Sequence, residues 1–110
     1  MDTQANFASL IKQIINEYAQ YEPFDGDIHS YVTYDDEHGN YALLEAGWQG
    51  DKYIHHTIIH VGFLDNKIWI HCDNTEDGIA TELVDAGIAK EHIVLGFRPP
   101  EVRHYTKFAA

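Results

Sequence analysis

The sequence predicts an α+β fold: a single domain, residues 1–110, with a mainly antiparallel sheet of four to five strands. Three observations predict it. An apolar stripe with helical spacing marks the N-terminal segment, and four segments rich in β-branched and aromatic residues follow it. A second helical segment comes after the fourth strand. A chain of 110 residues supports one core of ordinary size.

The first predicted helix covers about residues 4–20 and is expected to pack on one face of the sheet. Its apolar residues recur every three or four positions and so share one side of a helix. They are Phe7, Leu10, Ile11, Ile14, Ile15 and Tyr18. Pro23 prevents the helix from continuing, because proline lacks the amide hydrogen that the next turn requires.

Four strands are predicted in the middle of the chain. They cover residues 27–34, 41–48, 53–64 and 67–72. The segments between them contain glycine, aspartate or asparagine, which are common turn residues. Asp65 and Asn66 should form a two-residue hairpin turn, because both residue types tolerate positive φ.

The C-terminal third predicts one more helix and one more strand. Thr75 is expected to cap a helix over about residues 76–86, and Gly87 is expected to end it. Residues 93–97 predict a short fifth strand. From Pro99 onward we expect an extended arm.

Pairing outward from the turn at Asp65 predicts which side chains share a face. It places His60 opposite His71 and Trp69 opposite Gly62. Strand alternation then gives one uniformly apolar face, which we predict to be the core face. Its members are Ile59, Val61, Phe63, Ile68, Ile70 and Cys72.

The other face mixes aromatic, aliphatic and polar residues. A turn at Gly50 and Asp51 would place Tyr41 beside His60 and Glu45 beside His56. Leu43, Ile54, Ile58 and Leu64 would join Trp69 there. Such a face suggests self-association or a protein partner. The candidate partner-binding residues are Ile58, His60, Leu64, Trp69 and His71.

A metal site is the competing interpretation of the same histidines. His60, His71 and Asp73 could form the two-histidine, one-carboxylate set of non-haem iron enzymes. A single sheet gives such a metal little shelter, and an aspartate after a strand more commonly starts the next turn. We therefore predict no metal, no cofactor and no catalytic residues, and the sequence contains no phosphate-binding glycine loop.

The charge of the chain limits its partners. Eighteen acidic against seven basic residues give a net charge of -11, which repels phosphate backbones and makes direct nucleic-acid binding unfavourable. The exception is a basic C-terminal arm. Its candidate residues are Arg98, Arg103, His104 and Lys107.

The compartment is predicted to be the cytoplasm. No apolar run is long enough for a membrane helix, and the N-terminus lacks the features of a signal peptide. A single cysteine, Cys72, fits a reducing compartment.

Several motifs together resemble the XisI family, described in cyanobacteria as excision controlling factors for the fdxN element. They are KIWI, DNTEDGIA and IVLGFRPPEVR within residues 67–108, and IKQIINEYAQYEP and GWQGDKYIHHTIIHVGF before them. The resemblance spans nearly the whole chain. It departs from the family pattern at Asn74, Ala89, Arg98 and Lys107.

The resemblance implies an α+β domain that works in developmentally controlled, site-specific DNA rearrangement with a recombinase and a XisH-type companion. It supplies no catalytic residues. We expect a non-enzymatic regulatory or adaptor protein that binds a XisH-like partner and forms a homo-oligomer. One alternative is a DNA-binding accessory factor using the basic arm. A less favoured one is a small metal-dependent enzyme at His60, His71 and Asp73.

Overall fold

The structure, a computed structural model, describes residues 3–21, 27–76, 78–103 and 108–109. In chain order the elements are α1 (Thr3–Ala19), β1 (Asp27–Asp35), β2 (Asn40–Gln49), β3 (Lys52–Leu64), β4 (Lys67–Asp73), α2 (Ile79–Asp85), a 3-10 turn (Lys90–His92), β5 (Ile93–Leu95) and α3 (Pro100–Arg103). The strands form one sheet in the order β1-β2-β3-β4-β5. The first four are antiparallel neighbours, and β5 pairs parallel with β4. The predicted α+β fold class is confirmed.

Helices α1 and α2 lie on the same face of the sheet, and the core lies between them and the strands. Burying these side chains is the main stabilising contribution to the fold. The residues of the core that are at most 2% exposed include Ile11, Ile15, Tyr41, Leu43, Ile59, Val61, Ile68, Ile70, Leu83 and Ile93. We call the opposite face of β1 to β4 the open face. Among the described helices, none is long and apolar enough to span a bilayer.

The turns follow the predicted residue types. Asp65 and Asn66 have φ of 54° and 62°, as the two-residue hairpin requires, and Gly62 pairs with Trp69 as expected. Glu45 pairs with His56, also as predicted. After α2, Gly87 has φ of 104°, where a residue with a Cβ would be strained.

The predicted register of the β3–β4 pair holds from the turn back to Val61 and is wrong from His60 toward the start of β3. A register shift between His60 and Val61 makes Cys72, rather than His71, the partner of His60. His71 is therefore an extra residue in β4, which is the definition of a β-bulge. Cys72 is only partly buried, and its thiol donates a hydrogen bond to the carbonyl of Thr57 at 3.6 Å. It is not the core residue that strict alternation predicts.

A second bulge shifts the register of the β2–β3 pair, so the predicted pairing is wrong there as well. The shift follows Leu43, so Tyr41 pairs with Val61 instead of lying beside His60. Tyr41 and Leu43 point into the core and are 1% and 2% exposed. Ile58 is the extra residue of this bulge and packs against the core cluster, which removes it from the open face.

The C-terminal third differs from the prediction in its boundaries. Helix α2 begins at Ile79, because the carboxylate of Asp73 accepts the Ile79 amide at 2.8 Å, while the Thr75 hydroxyl accepts the amide of Gly78. Strand β5 ends at Leu95. Residues 100–103 form the short helix α3 instead of an extended arm, since proline is well suited to the first turn of a helix. Pro23, His104 and Lys107 lie outside the described residues.

Candidate protein-binding face

The strands place no charged side chain on the open face except at its margins. Its charged residues are Asp27 and Asp35 at the ends of β1 and Lys67 at the start of β4. Between them, alternation and register place residues that are uncharged at neutral pH when histidine is neutral. They are His29, Tyr31, Thr33, Asn40, Ala42, Leu44, Ala46, Trp48, Tyr53, His55, Thr57, His60, Gly62, Leu64, Trp69, His71 and Cys72. In a chain of net charge -11 this depletion stands out, because the centres of protein interfaces are depleted of charge.

Five polar and aromatic side chains form a continuous row across one end of the open face. The Nε2 atom of His60 lies 3.3 Å from Oδ1 of Asn40, and its ring centre lies 4.9 Å from that of His71. The His71 ring stacks on Trp69 with centres 6.3 Å apart. The guanidinium of Arg103, from α3, lies 5.1 Å from the centre of the Trp69 ring. We call this set the histidine–tryptophan row.

Two glycines make room for the histidine–tryptophan row. A Cβ on Gly62 would lie 2.9 Å from Nε2 of His71, and one on Gly96 would lie 3.2 Å from the Trp69 ring and 3.3 Å from Nδ1 of His71. The His71 ring, rather than the Trp69 ring, therefore lies over Gly62. A side chain at either position would push the His71 ring out of its place in the row.

The environment of His71 favours its neutral form. Partial burial of the ring lowers the pKa of His71 below its ordinary value of 6.5, and the nearby His60 lowers it further. His71 therefore binds protons less readily in the folded chain than in the unfolded chain. Its contribution to the free energy of unfolding is fully present above about pH 6.5, and it is lost as the pH falls toward the lower pKa of the folded state.

We expect the urea midpoint of the wild type to fall between pH 7.5 and pH 5.5, and the His71→Gln variant to lose less over the same range, because it removes this proton linkage. The measurement is urea unfolding followed by circular dichroism. The control is His55→Gln, which changes a histidine of the same face outside the histidine–tryptophan row and should keep the wild-type pH dependence. Equal pH dependence in His71→Gln and the wild type would contradict the linkage.

A cleft of about 210 Å³ lies beside the histidine–tryptophan row. Its lining residues are His38, Gly39, Asn40, Gly62, Phe63, Leu64 and His71. Leu64, at its rim, is 56% exposed. A cleft with an exposed aliphatic rim and a neutral imidazole wall suits one apolar anchor side chain of a partner protein.

Trp69 lies beside Arg103, one of the basic residues predicted near the C-terminus. Its indole Nε1 is buried, and no described residue accepts its hydrogen. Arg103 covers the ring and donates its Nε hydrogen to the carbonyl of Arg98 at 3.0 Å. Arg98 in turn lies over the Phe97 ring. The two arginines are thus adjacent, and one of them is held against the indole.

The predicted metal triad does not assemble. Asp73 pairs with Ile59 on the helix-bearing face, while the rings of His60 and His71 meet on the open face. The Asp73 carboxylate accepts hydrogen bonds from the amide and hydroxyl of Thr75 and from the amide of Ile79. Within the part of the chain that the structure describes, no three histidine, cysteine, aspartate or glutamate side chains are placed to hold a metal.

The structure brings together most of the predicted partner-binding residues. His60, Trp69 and His71 belong to the row, Leu64 lies at the cleft, and Ile58 faces the core. The sequence reasoning missed a second aromatic group, formed by Trp48 and Tyr53, whose ring centres are 5.1 Å apart. They are 53% and 54% exposed, and strand alternation along β2 is the signal that could have found them.

Comparison with known proteins agrees with this fold. The family model described as XisI protein matches residues 1–110. The crystal structure of a XisI-like protein from Anabaena variabilis ATCC 29413 has a TM-score of 0.92 and 33% identity, over 97% of this chain and 98% of that chain. That of the fdxN element excision controlling factor XisI from the same organism has a TM-score of 0.84 and 32% identity, over 98% of each chain. No curated protein matches. The chain belongs to the XisI family.

Proposed function

We propose that the protein is a cytoplasmic, non-enzymatic regulator of the excision controlling type, which acts in site-specific DNA rearrangement by binding another protein through its open face. Similarity over nearly the full length to an fdxN element excision controlling factor supports the biological setting. We propose a XisH-like protein as the partner. DNA contact is then made by the complex rather than by this acidic chain alone.

The observation that carries the proposal is the charge-depleted open face. Most of this face has no helix over it among the described residues, and Tyr31, Trp48 and Tyr53 on it are each more than half exposed. Exposed aromatic residues on a surface with few charges are typical of interface centres. The cleft beside Leu64 offers a place for an anchoring side chain.

The chemistry of the open face supports binding rather than catalysis. His60 and His71 contact each other, and their other ring neighbours are Asn40 and Trp69, neither of which is a nucleophile that an imidazole could activate. Cys72 is partly buried, with Thr57 and Asn74 as its neighbours. These contacts favour a recognition role for the imidazoles.

The test is co-purification with a co-expressed XisH-like protein, using two matched variants. Leu64→Asp places a carboxylate at the rim of the cleft and should weaken binding by about tenfold or more. Tyr21→Asp is the control, because Tyr21 is 79% exposed at the end of α1, on the helical side of the sheet. Equal retention of the partner by both variants, or no retention by the wild type, would refute the proposed face.

Direct DNA binding is the second candidate, because Arg98 and Arg103 are adjacent. A gel-shift assay on the isolated chain at two salt concentrations separates the candidates, since phosphate contacts weaken steeply with salt. We expect little binding at either concentration. Tight, salt-sensitive binding that is lost in Arg98→Ala would favour the DNA-binding alternative.

A further inference from the structure

The indole of Trp69 is covered by residues from the C-terminal third of the chain. The guanidinium of Arg103, in α3, lies 5.1 Å from the ring centre. A Cβ on Gly96 would lie 3.2 Å from the same ring, so the backbone after β5 also passes close to it. The Nε1 atom of the indole is buried in this arrangement. A partner on the open face therefore cannot contact that atom unless a covering group moves.

The buried Nε1 atom of Trp69 lacks an acceptor among the described residues. Buried donors in folded proteins almost always have an acceptor, because a donor without one loses the hydrogen bond that it makes to water in the unfolded chain. The covered arrangement therefore has a free energy cost that an acceptor would remove. Since the indole nitrogen is a donor only, the missing group is an acceptor, such as a carbonyl or carboxylate oxygen.

The two covering groups differ in how firmly they are held. Gly96 is fixed to the sheet, because its amide donates to the carbonyl of Ile70 at 2.9 Å. Beyond it, every residue from Phe97 to Val102 is exposed, and Arg103 is partly buried. Arg103 is thus the residue of this segment that comes closest to the sheet, and it does so at Trp69.

The backbone hydrogen bonds described for this segment stay within residues 95–103. The amide of Arg98 donates to the carbonyl of Leu95, and the amides of Val102 and Arg103 donate to the carbonyl of Pro99. The segment can therefore move without breaking the pairing of β5 with β4. Segments with few buried apolar contacts open at a low free energy. We call residues 97–103 the α3 lid.

We propose that the α3 lid covers a concealed part of the partner-binding face, and that the partner displaces Arg103 and gives the Trp69 indole its missing acceptor. This rests on the proposed function, because the partner is the protein that binds the open face. It adds a chemical requirement for that partner, which must place a carbonyl or carboxylate oxygen at the indole nitrogen. The lid also lowers the apparent affinity, because the binding-competent state is only part of the population.

The cover is tested on the isolated chain, without a partner. The sequence has two tryptophans, Trp48 and Trp69, so Trp48→Phe leaves Trp69 as the fluorophore. In that background, Arg103→Ala should raise the acrylamide quenching constant of Trp69 by about threefold, because it removes the cation from the ring. Glu101→Ala is the matched control, since it changes an exposed charge of the same helix and should leave quenching unchanged.

The role of the lid is tested by binding to a purified XisH-like protein, with Trp48 kept. Arg103→Ala should lower the dissociation constant by about threefold, because the lid no longer has to be opened. Trp69→Phe keeps an aromatic ring but lacks the donor, and it should raise the dissociation constant by about fivefold. Glu101→Ala should bind as the wild type does. Circular dichroism checks that each variant is folded.

The contrary results each have a distinct meaning. Equal quenching constants for Arg103→Ala and Glu101→Ala would show that α3 does not cover the indole. Weaker binding by Arg103→Ala would make the arginine a direct contact and exclude a lid. Trp69→Phe binding as tightly as the wild type would exclude the acceptor contact. A wild type that binds no XisH-like protein refutes the proposed function and the partner's role here, while the quenching constants still decide whether the lid exists.

Discussion

Replacing Gly47 by alanine is expected to lower the free energy of unfolding by about 3 kcal/mol or more. Gly47 lies within β2, opposite Ile28 of β1, with φ of 151°. A Cβ there would lie 1.9 Å from the carbonyl oxygen of Asp27 and 2.7 Å from Cα of Ile28. These are backbone atoms, so no side-chain rotation relieves the overlap. Strand β1 would have to separate from β2 near its start.

Gly50→Ala is the control for this prediction. Gly50 also has positive φ, 65°, but an added Cβ would meet no atom within 4 Å. The substitution Gly50→Ala should therefore lower the free energy of unfolding through backbone strain alone, by about 1 kcal/mol. Urea unfolding of both variants at neutral pH compares the two. A Gly47→Ala variant no less stable than Gly50→Ala would show that β1 moves aside without cost.

The regular elements of the fold follow from local patterns in the sequence. The stripe of α1 has helical spacing, and the hairpin turn at Asp65 and Asn66 uses two residues that tolerate positive φ. The strands end within about two residues of their predicted bounds, because glycine, aspartate and asparagine mark the turns between them. These signals lie within a few residues of the structure they specify, so sequence reasoning detects them.

The bulges are not visible in the sequence, and they alter the predicted site. One extra residue, His71, moves Cys72 level with His60 and turns Asp73 toward the helices. The extra residue at Ile58 turns Tyr41 into the core. A bulge depends on how paired strands fit against the rest of the core, which the local pattern does not encode. Strict alternation is therefore reliable near each turn and fails beyond the first irregularity.

The contacts of the C-terminal residues were also beyond sequence reasoning. The pairing of Arg103 with Trp69 joins residues from α3 and β4, far apart in the chain. The arginines were predicted as an anion-binding arm because of their charge, and the indole was predicted as a partner contact. The cation–π contact connects the two predictions, because the guanidinium that would bind a phosphate is held against the aromatic ring.

Replacing Asp73 by alanine should lower the free energy of unfolding by about 2 kcal/mol, because it removes an acceptor used by three donors at the start of α2. Those donors are the Thr75 amide at 3.1 Å, the Thr75 hydroxyl, and the Ile79 amide at 2.8 Å. Helix α2 has seven residues, too few to be stable without its tertiary contacts, and it places Ile79 and Leu83 in the core. Losing its start therefore loosens this part of the core.

Asp85→Ala is the matched control, since Asp85 is an exposed acid in the last turn of the same helix. The helix dipole disfavours an acid there, so its removal should be neutral or slightly stabilising, by about 0.3 kcal/mol. Equal destabilisation by both variants would refute the capping role.

Adding Zn²⁺ or Fe²⁺ tests the rival role of Asp73 as a metal ligand, because a metal bound by Asp73 would raise the melting temperature of the wild type and not of Asp73→Ala. We expect no such difference, since a carboxylate that already accepts the hydrogen bonds of a helix start on one face of the sheet is poorly placed to join imidazoles on the other.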